Sequence, residues 1–396
     1  MSNAPRPLFT TRAVLGEGPD ASVPWHYGAP LREQRRLLAG RAVVDLGQFE
    51  VLEVSGPDRL TWLTTVTSQS LTALRPGDST ELTVLSPQGR IEHWAQVAVP
   101  NDEAVLLIVD HGARDSLRAY LTLMTFAHRI QLRDRDDLRV LGAIRPPLQI
   151  VADTAAAGAA SLAPVARWRQ SWPDVSEGGL AYGPDPEFPE PWFLDLVDAE
   201  SLEAAARSGA LPADVFAGMA SAEALRVLNH RPRFAREVDD RSIPHELDLL
   251  RTAVHTAKGC YRGQETVAKV MNLGQPPRRL VMLHLDGSQE IPVPVGAAVN
   301  FGAKQVGQVT TSALHADEGP VALAVIRRAV PIDAPLTVTF EAGSSPEGAD
   351  ETGSAPTTDA PASLAIDATQ VSIVEARDHG ARPEVSRLGH RASGPS

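Results

Sequence analysis

The chain holds one cysteine and three lysines in 396 residues, and Cys260 and Lys258 fall two positions apart in the run Lys258-Gly259-Cys260-Tyr261-Arg262-Gly263-Gln264-Glu265. A thiol reacts as the thiolate, and nearby cations or a helix N-terminus favour that form. Lys258 and Arg262 flank the sulfur in sequence. Gly259 and Gly263 permit a sharp turn or a close backbone approach. Gln264 and Glu265 suit the first turn of a short helix over 266–271. The run therefore predicts an accessible thiolate at Cys260, with Lys258 and Arg262 lowering its pKa. The competing reading is a small buried apolar residue, a common fate of a free cysteine. Tyr261 either lines a pocket or packs.

A second concentration of chemistry precedes it. Arg226, Arg231, Arg233, Arg236 and Arg241 lead toward Arg251 and Arg262. Grouped arginines in an acidic protein suggest a site for carboxylates or phosphates, against the plainer reading of a solvated face. Trp168, Trp172, Tyr182, Phe188, Trp192 and Phe193 lie in a proline-rich stretch. They either plug a loop-rich core or offer a ring to stack on a planar ligand.

The octad Lys258 to Glu265 resembles the Lys-Gly-Cys-Tyr-x-Gly-Gln-Glu signature of the YgfZ family, folate-binding relatives of the glycine cleavage system T protein that act in iron-sulfur protein maintenance. Ile243-Pro244-His245-Glu246-Leu247 and Arg278-Arg279-Leu280 resemble that signature's flanks. The resemblance implies an α+β, aminomethyltransferase (T-protein)-like fold that binds folate and ends in a small C-terminal β-barrel. It implies tetrahydrofolate or a derivative as cofactor, with Arg226 for the glutamyl carboxylates and Phe49 as a ring beside the ligand. The implied role is accessory, in assembly or repair of iron-sulfur cluster proteins. Cys260 would ligate iron of a transient cluster or exchange with a partner's thiol or persulfide.

Transferase activity is a separate question. The hairpin that carries an aspartate pair in the T protein reads Gly89-Arg90-Ile91-Glu92-His93-Trp94 here, and Leu225-Arg226 continues as Val227-Leu228 without the family's glutamate. Glu92 or His93 would have to serve as base. Two alternatives stand beside the accessory role: a tetrahydrofolate-dependent aminomethyl transferase, and a folate-binding interaction module with a structural cysteine.

The length suggests two or three domains. A formal charge of −12 disfavours general binding to nucleic acid and anionic membranes. One cysteine excludes an internal disulfide framework and a four-cysteine metal or cluster site, so no metal ligand set is assigned and cluster ligands would come from client or assembly proteins. The polar, proline-rich start and the lack of a long apolar run indicate the cytoplasm and no membrane.

The elements that must position these residues read as follows. Residues 1–22 are expected as a flexible lead-in. The T-protein-like region covers 23–275, as two subdomains near 23–150 and 151–275. A barrel follows over 276–377, with a disordered insert at 343–366, and 378–396 form a disordered tail. Helices are expected at 31–38, 59–65, 115–127, 199–206 and 220–229. Strands are expected at 42–46, 49–55, 81–85, 91–99, 104–109, 138–143 and 147–151. Short strands at 279–285, 298–301, 305–312, 321–326, 336–340 and 369–374 supply the barrel.

Overall fold

The computed structural model describes residues 7–154, 162–187, 189–273, 275–288, 291–341 and 363–375. Phe188, most of the expected insert and the expected tail lie outside the described residues.

The chain opens with a two-stranded ribbon, β1 (Val14–Leu15) and β2 (Pro24–His26), followed by α1 (Pro30–Leu38), β3 (Val43–Asp45), β4 (Glu50–Ser55) and α2 (Arg59–Val66). Next come β5 (Ser79–Leu85), β6 (Ile91–Ala98), β7 (Ala104–Val109), α3 (Arg114–Leu123), β8 (Gln131–Asp134), β9 (Leu138–Ala143) and α4 (Pro147–Thr154). Then follow β10 (Ala166–Arg169), β11 (Phe193–Asp198), α5 (Ala199–Arg207), β12 (Phe216–Ala217), α6 (Met219–Leu228), α7 (Phe234–Glu237) and α8 (Gln264–Leu273). The remainder is β13 (Arg278–Leu285), β14 (Ala298–Phe301), β15 (Lys304–His315), β16 (Gly319–Arg327), β17 (Leu336–Glu341) and β18 (Ser363–Ser372).

Two five-stranded sheets and a barrel result. One sheet runs β5-β6-β7-β4-β8 and is built wholly from residues 50–134. The other runs β10-β11-β9-β3-β12, so strands before residue 150 share a sheet with strands after it. The subdomains are therefore nested, and the expected division near residue 150 does not follow the sheets. The two stack through β7, whose six residues are all buried. Leu106 and Ile108 join the core of the second sheet, while Val105, Leu107 and Val109 join Trp62, Leu63, Leu117 and Leu121 beneath α2 and α3. Burial on both faces explains a continuous apolar run without alternation.

β13-β16-β15-β14-β17-β18 close into the expected barrel, around Val281, Leu283, Val299, Val309, Ala324 and Val338. Its last strand starts at Ser363, inside the expected insert, because Ile366 and Ala368 alternate inward and pair with β17.

Two other expectations fail for identifiable reasons. Residues 147–151 begin a helix: Pro147 occupies its first position, where no N–H is needed, and the Leu148 N–H finds the Asp195 carboxylate at 2.9 Å. Residues 7–22 hold ordered structure, because Asp20 is fully buried against arginines far along the chain.

Candidate functional site

The cysteine loop lies between the β5–β6 hairpin and the outer face of the barrel. Tyr261 and Val267 share a core with Leu85, Ile91 and Trp94 of the hairpin region and with Leu280, Met282 and Val321 of the barrel. Cys260 is exposed on this braced loop. Gly263 has φ +83°, and a Cβ there would lie 2.5 Å from the Ser86 carbonyl oxygen. Only glycine fits that contact. Gly259 faces open space.

Both flanking cations have partners of their own. The Lys258 ammonium donates to the carbonyls of Thr64, Thr67 (2.5 Å) and Gln69 (3.2 Å), and sits 5.0 Å from the centre of the Tyr261 ring. Those carbonyls belong to the C-terminal end of α2 and the residues just after it, where acceptors are left over and a cation is favoured. Burial lowers the Lys258 pKa to about 8. Arg262 grips Glu92 through both terminal nitrogens, at 2.6 and 3.2 Å, and lies 5.8 Å from the Tyr120 ring centre. Both cations thus help to hold the loop through partners other than the sulfur. Gln264 and Glu265 open α8 as expected. Gln264 donates to the Lys258 carbonyl at 3.4 Å, and Glu265 lies exposed in the first turn.

Glu92 is committed to Arg262. Neighbouring His93 is buried, and its pKa falls to about 4 through burial and then the Arg262 charge. Neither hairpin residue is placed as a free general base.

Of the clustered arginines, Arg226, Arg231, Arg233 and Arg236 turn toward buried carboxylates, while Arg241 stays exposed. All five N–H groups of Arg226 are engaged: Glu223 takes two (2.9 and 2.7 Å), Glu237 one (2.8 Å), Thr311 one (2.7 Å) and the Arg231 carbonyl one (2.7 Å). Arg233 binds Asp110 at 2.6 Å and Asp20 at 2.8 Å, and covers the Phe49 ring at 5.2 Å. Arg231 binds Glu81 at 2.6 Å and lies against the rings of Trp94 and Trp172. Arg251 stacks on Trp172 from 4.7 Å. The planar groups stacked on Trp172 are guanidiniums. The carboxylates that the arginines suggested are the chain's own, drawn from residues 20, 81, 110, 223 and 237. Phe49 and Arg226 do come together, linked through Arg233 and Glu223. As they stand they do not fit a folate, since Arg226 has no donor left for a glutamyl group and Arg233 already occupies one face of the Phe49 ring.

Two cavities matter. A space of about 1350 Å³ opens between the N-terminal ribbon, α1, α6 and the barrel, and no residue from Lys258 to Glu265 lines it. Tyr261 and Gln264 line a hollow of about 100 Å³ with Thr256, Val267, Ala268, Met271 and Asn272. Among the described residues, no group of three or more His, Cys, Asp or Glu side chains is arranged for a metal ion, and no helix is long and apolar enough to cross a membrane.

Asp20, Asp110 and Glu237 carry the centre of the molecule and escaped the sequence reading. Asp20 and Asp110 are lone carboxylates far in sequence from Arg233, whereas Glu237 lies inside the arginine run and bonds Arg226 from there.

The two nested sheets and the six-stranded barrel define an aminomethyltransferase-like, T-protein-type fold. The chain superposes on the crystal structure of the glycine cleavage system aminomethyltransferase T from Bartonella henselae with a TM-score of 0.66, at 16% identity, over 93% of this chain and 96% of that one. In sequence it is 23% identical over 278 residues to a chloroplastic protein of Arabidopsis thaliana named "putative transferase", covering 69% of this chain and about 62% of that relative's length. No family model matches the chain.

Proposed function

We propose that this chain is a non-transferring relative of the T protein that serves iron-sulfur proteins through the Cys260 thiol. The observation that carries this reading is the exposure of the chain's one cysteine on a loop braced at both ends, by Lys258 on α2 and by Arg262 on Glu92. A cysteine whose part was packing would be buried. A fixed, exposed sulfur can be reached by a partner protein.

Two reactions suit it. The thiolate can take a position on the iron of a client's cluster, which is then cargo. It can also attack the outer sulfur of a partner's persulfide: the new S–S bond forms on Cys260, the partner's S–S bond breaks, and the partner leaves as thiolate. No oxidant or reductant is consumed. Tetrahydrofolate or a derivative is the ligand the fold implies. Because Arg226 and Phe49 do not fit it as they stand, no step is routed through folate.

Aminomethyl transfer is disfavoured by the hairpin, where Glu92 is tied to Arg262 and His93 is held neutral. The deciding experiment is complementation of a strain lacking this gene with wild type and Cys260→Ser, reading the activities of cluster-containing enzymes. Loss of rescue at normal Cys260→Ser protein levels is expected. Full rescue would mean that the thiol has no chemical part. Purified protein given methylene-tetrahydrofolate and a panel of amines is expected to leave the cofactor unconsumed.

A further inference from the structure

Gly259 is a glycine that the fold itself does not require. A Cβ added there would meet no atom within 4 Å, and its φ lies outside the left-handed region. Seven other glycines have the same open space, and all seven adopt positive φ, from +58° to +96°, which accounts for them. Every other described glycine outside the left-handed region has a neighbour 3.1 Å or closer to that position. Among the described residues, Gly259 alone has neither reason. A glycine gives up more freedom on folding than any other residue, so its presence here disfavours the fold and calls for a use outside it.

The neighbour of this glycine is the exposed thiol. Gly259 is itself exposed. Among the described residues, no hydrogen bond within the chain takes the N–H or the C=O of Gly259 or of Cys260. Two consecutive peptide units beside the sulfur thus keep their donors and acceptors for something outside the chain. Neither residue lines the large cavity or the small hollow, so a small molecule would find few walls here. A protein brings its own.

We propose that Gly259 is a specificity-determining residue of the Cys260 thiol: the gap in place of its side chain admits the backbone of an extended partner segment, whose own sulfur then reaches Cys260. This rests on the reading of Cys260 as a thiol that serves a partner protein. The free N–H and C=O groups offer the segment main-chain hydrogen bonds, which hold whatever its side chains are. A Cβ at 259 would keep the segment off while leaving the sulfur open to small reagents. The two glycines of the loop then divide the work, Gly263 seating it on the hairpin and Gly259 clearing the way to it.

Two disulfides with the same leaving group test this on the full chain, whose one cysteine reports without ambiguity. One is 2,2′-dithiodipyridine. The other is an extended peptide with a central cysteine carried as its 2-pyridyl disulfide. In each, the Cys260 thiolate attacks a disulfide sulfur, a new S–S bond forms on Cys260, the old one breaks and pyridine-2-thione is released, whose absorbance gives the rate. Gly259→Val is expected to slow the peptide about tenfold relative to the small disulfide, and Gly259→Ala about threefold, as a lost or lengthened backbone contact would. Equal slowing of both reagents would place the effect on the sulfur itself and overturn the proposal, as would a ratio of rates unmoved in both variants. Full rescue of cluster-enzyme activity by Gly259→Val, where Cys260→Ser gives none, would overturn it too. Should Cys260→Ser rescue fully, the thiol reading falls on that result, and the ratio of rates still decides the gap.

Discussion

Gly263 of the cysteine loop and Gly89 of the β5–β6 hairpin meet backbone to backbone. A Cβ on Gly263 would stand 3.1 Å from the Gly89 Cα, and a Cβ on Gly89 would meet the Thr266 Cβ at 2.8 Å. Both glycines have positive φ, +83° and +74°. The loop is thus seated on the hairpin by the lack of two side chains.

Gly263→Ala is expected to lower stability by about 2 kcal/mol or more, since it combines unfavourable φ with a clash against backbone. Chemical denaturation measures it. Gly259→Ala, in open space at ordinary φ, should cost less than about 1 kcal/mol, and equal losses at the two positions would contradict the seating.

Lys258→Met keeps the apolar stem and removes the ammonium from three carbonyls of the α2 end. A loss of about 1–3 kcal/mol is expected, with the alkylation rate of Cys260 at neutral pH changed by less than about threefold. A tenfold fall in that rate at unchanged loop order would instead make Lys258 the activator of the sulfur.

Breaking the central network should be far more costly. Arg226→Met leaves Glu223 and Glu237 buried without their shared partner, and a loss of about 3–5 kcal/mol is expected. A variant near wild-type stability would show that the network is not closed in solution.

Acid should destabilise the fold through its buried imidazoles. Burial lowers His93 and His230 to about 4 and His245 to about 3, all below the ordinary 6.5. Below pH 6.5 the unfolded chain takes up these protons while the folded chain does not. Stability is therefore held above about pH 6.5 and lost as pH falls toward 4, by up to about 1.4 kcal/mol per pH unit for each histidine. Denaturation midpoints across pH 7 to 4 test this, and His245→Asn should flatten the slope.

The outline of the fold was legible where periodicity is strong. Strand β4, the β5–β6 hairpin, helix α3 and the barrel strands announce themselves by alternation or an amphipathic face. Residues 147–151 misled because a short apolar run fits strand and buried helix equally, and the deciding carboxylate, Asp195, lies in another strand. The octad located the loop and the exposed sulfur. The partners of Lys258 and Arg262 could not be foreseen, since carbonyls at 64–69 and a carboxylate at 92 join them only through tertiary packing. For the same reason, arginines that read as a ligand site proved to be neutralised from within.

The nesting of one sheet inside the other sets an order of events at birth. Residues 50–134 can complete their hydrogen-bonded ladder as soon as they leave the ribosome, while Val43–Asp45 must wait for partners at 138–143 and 216–217. We expect pulse-labelled amide exchange during refolding to protect the inner unit first. The outer unit, held open longest, is then where a chaperone would find its grip.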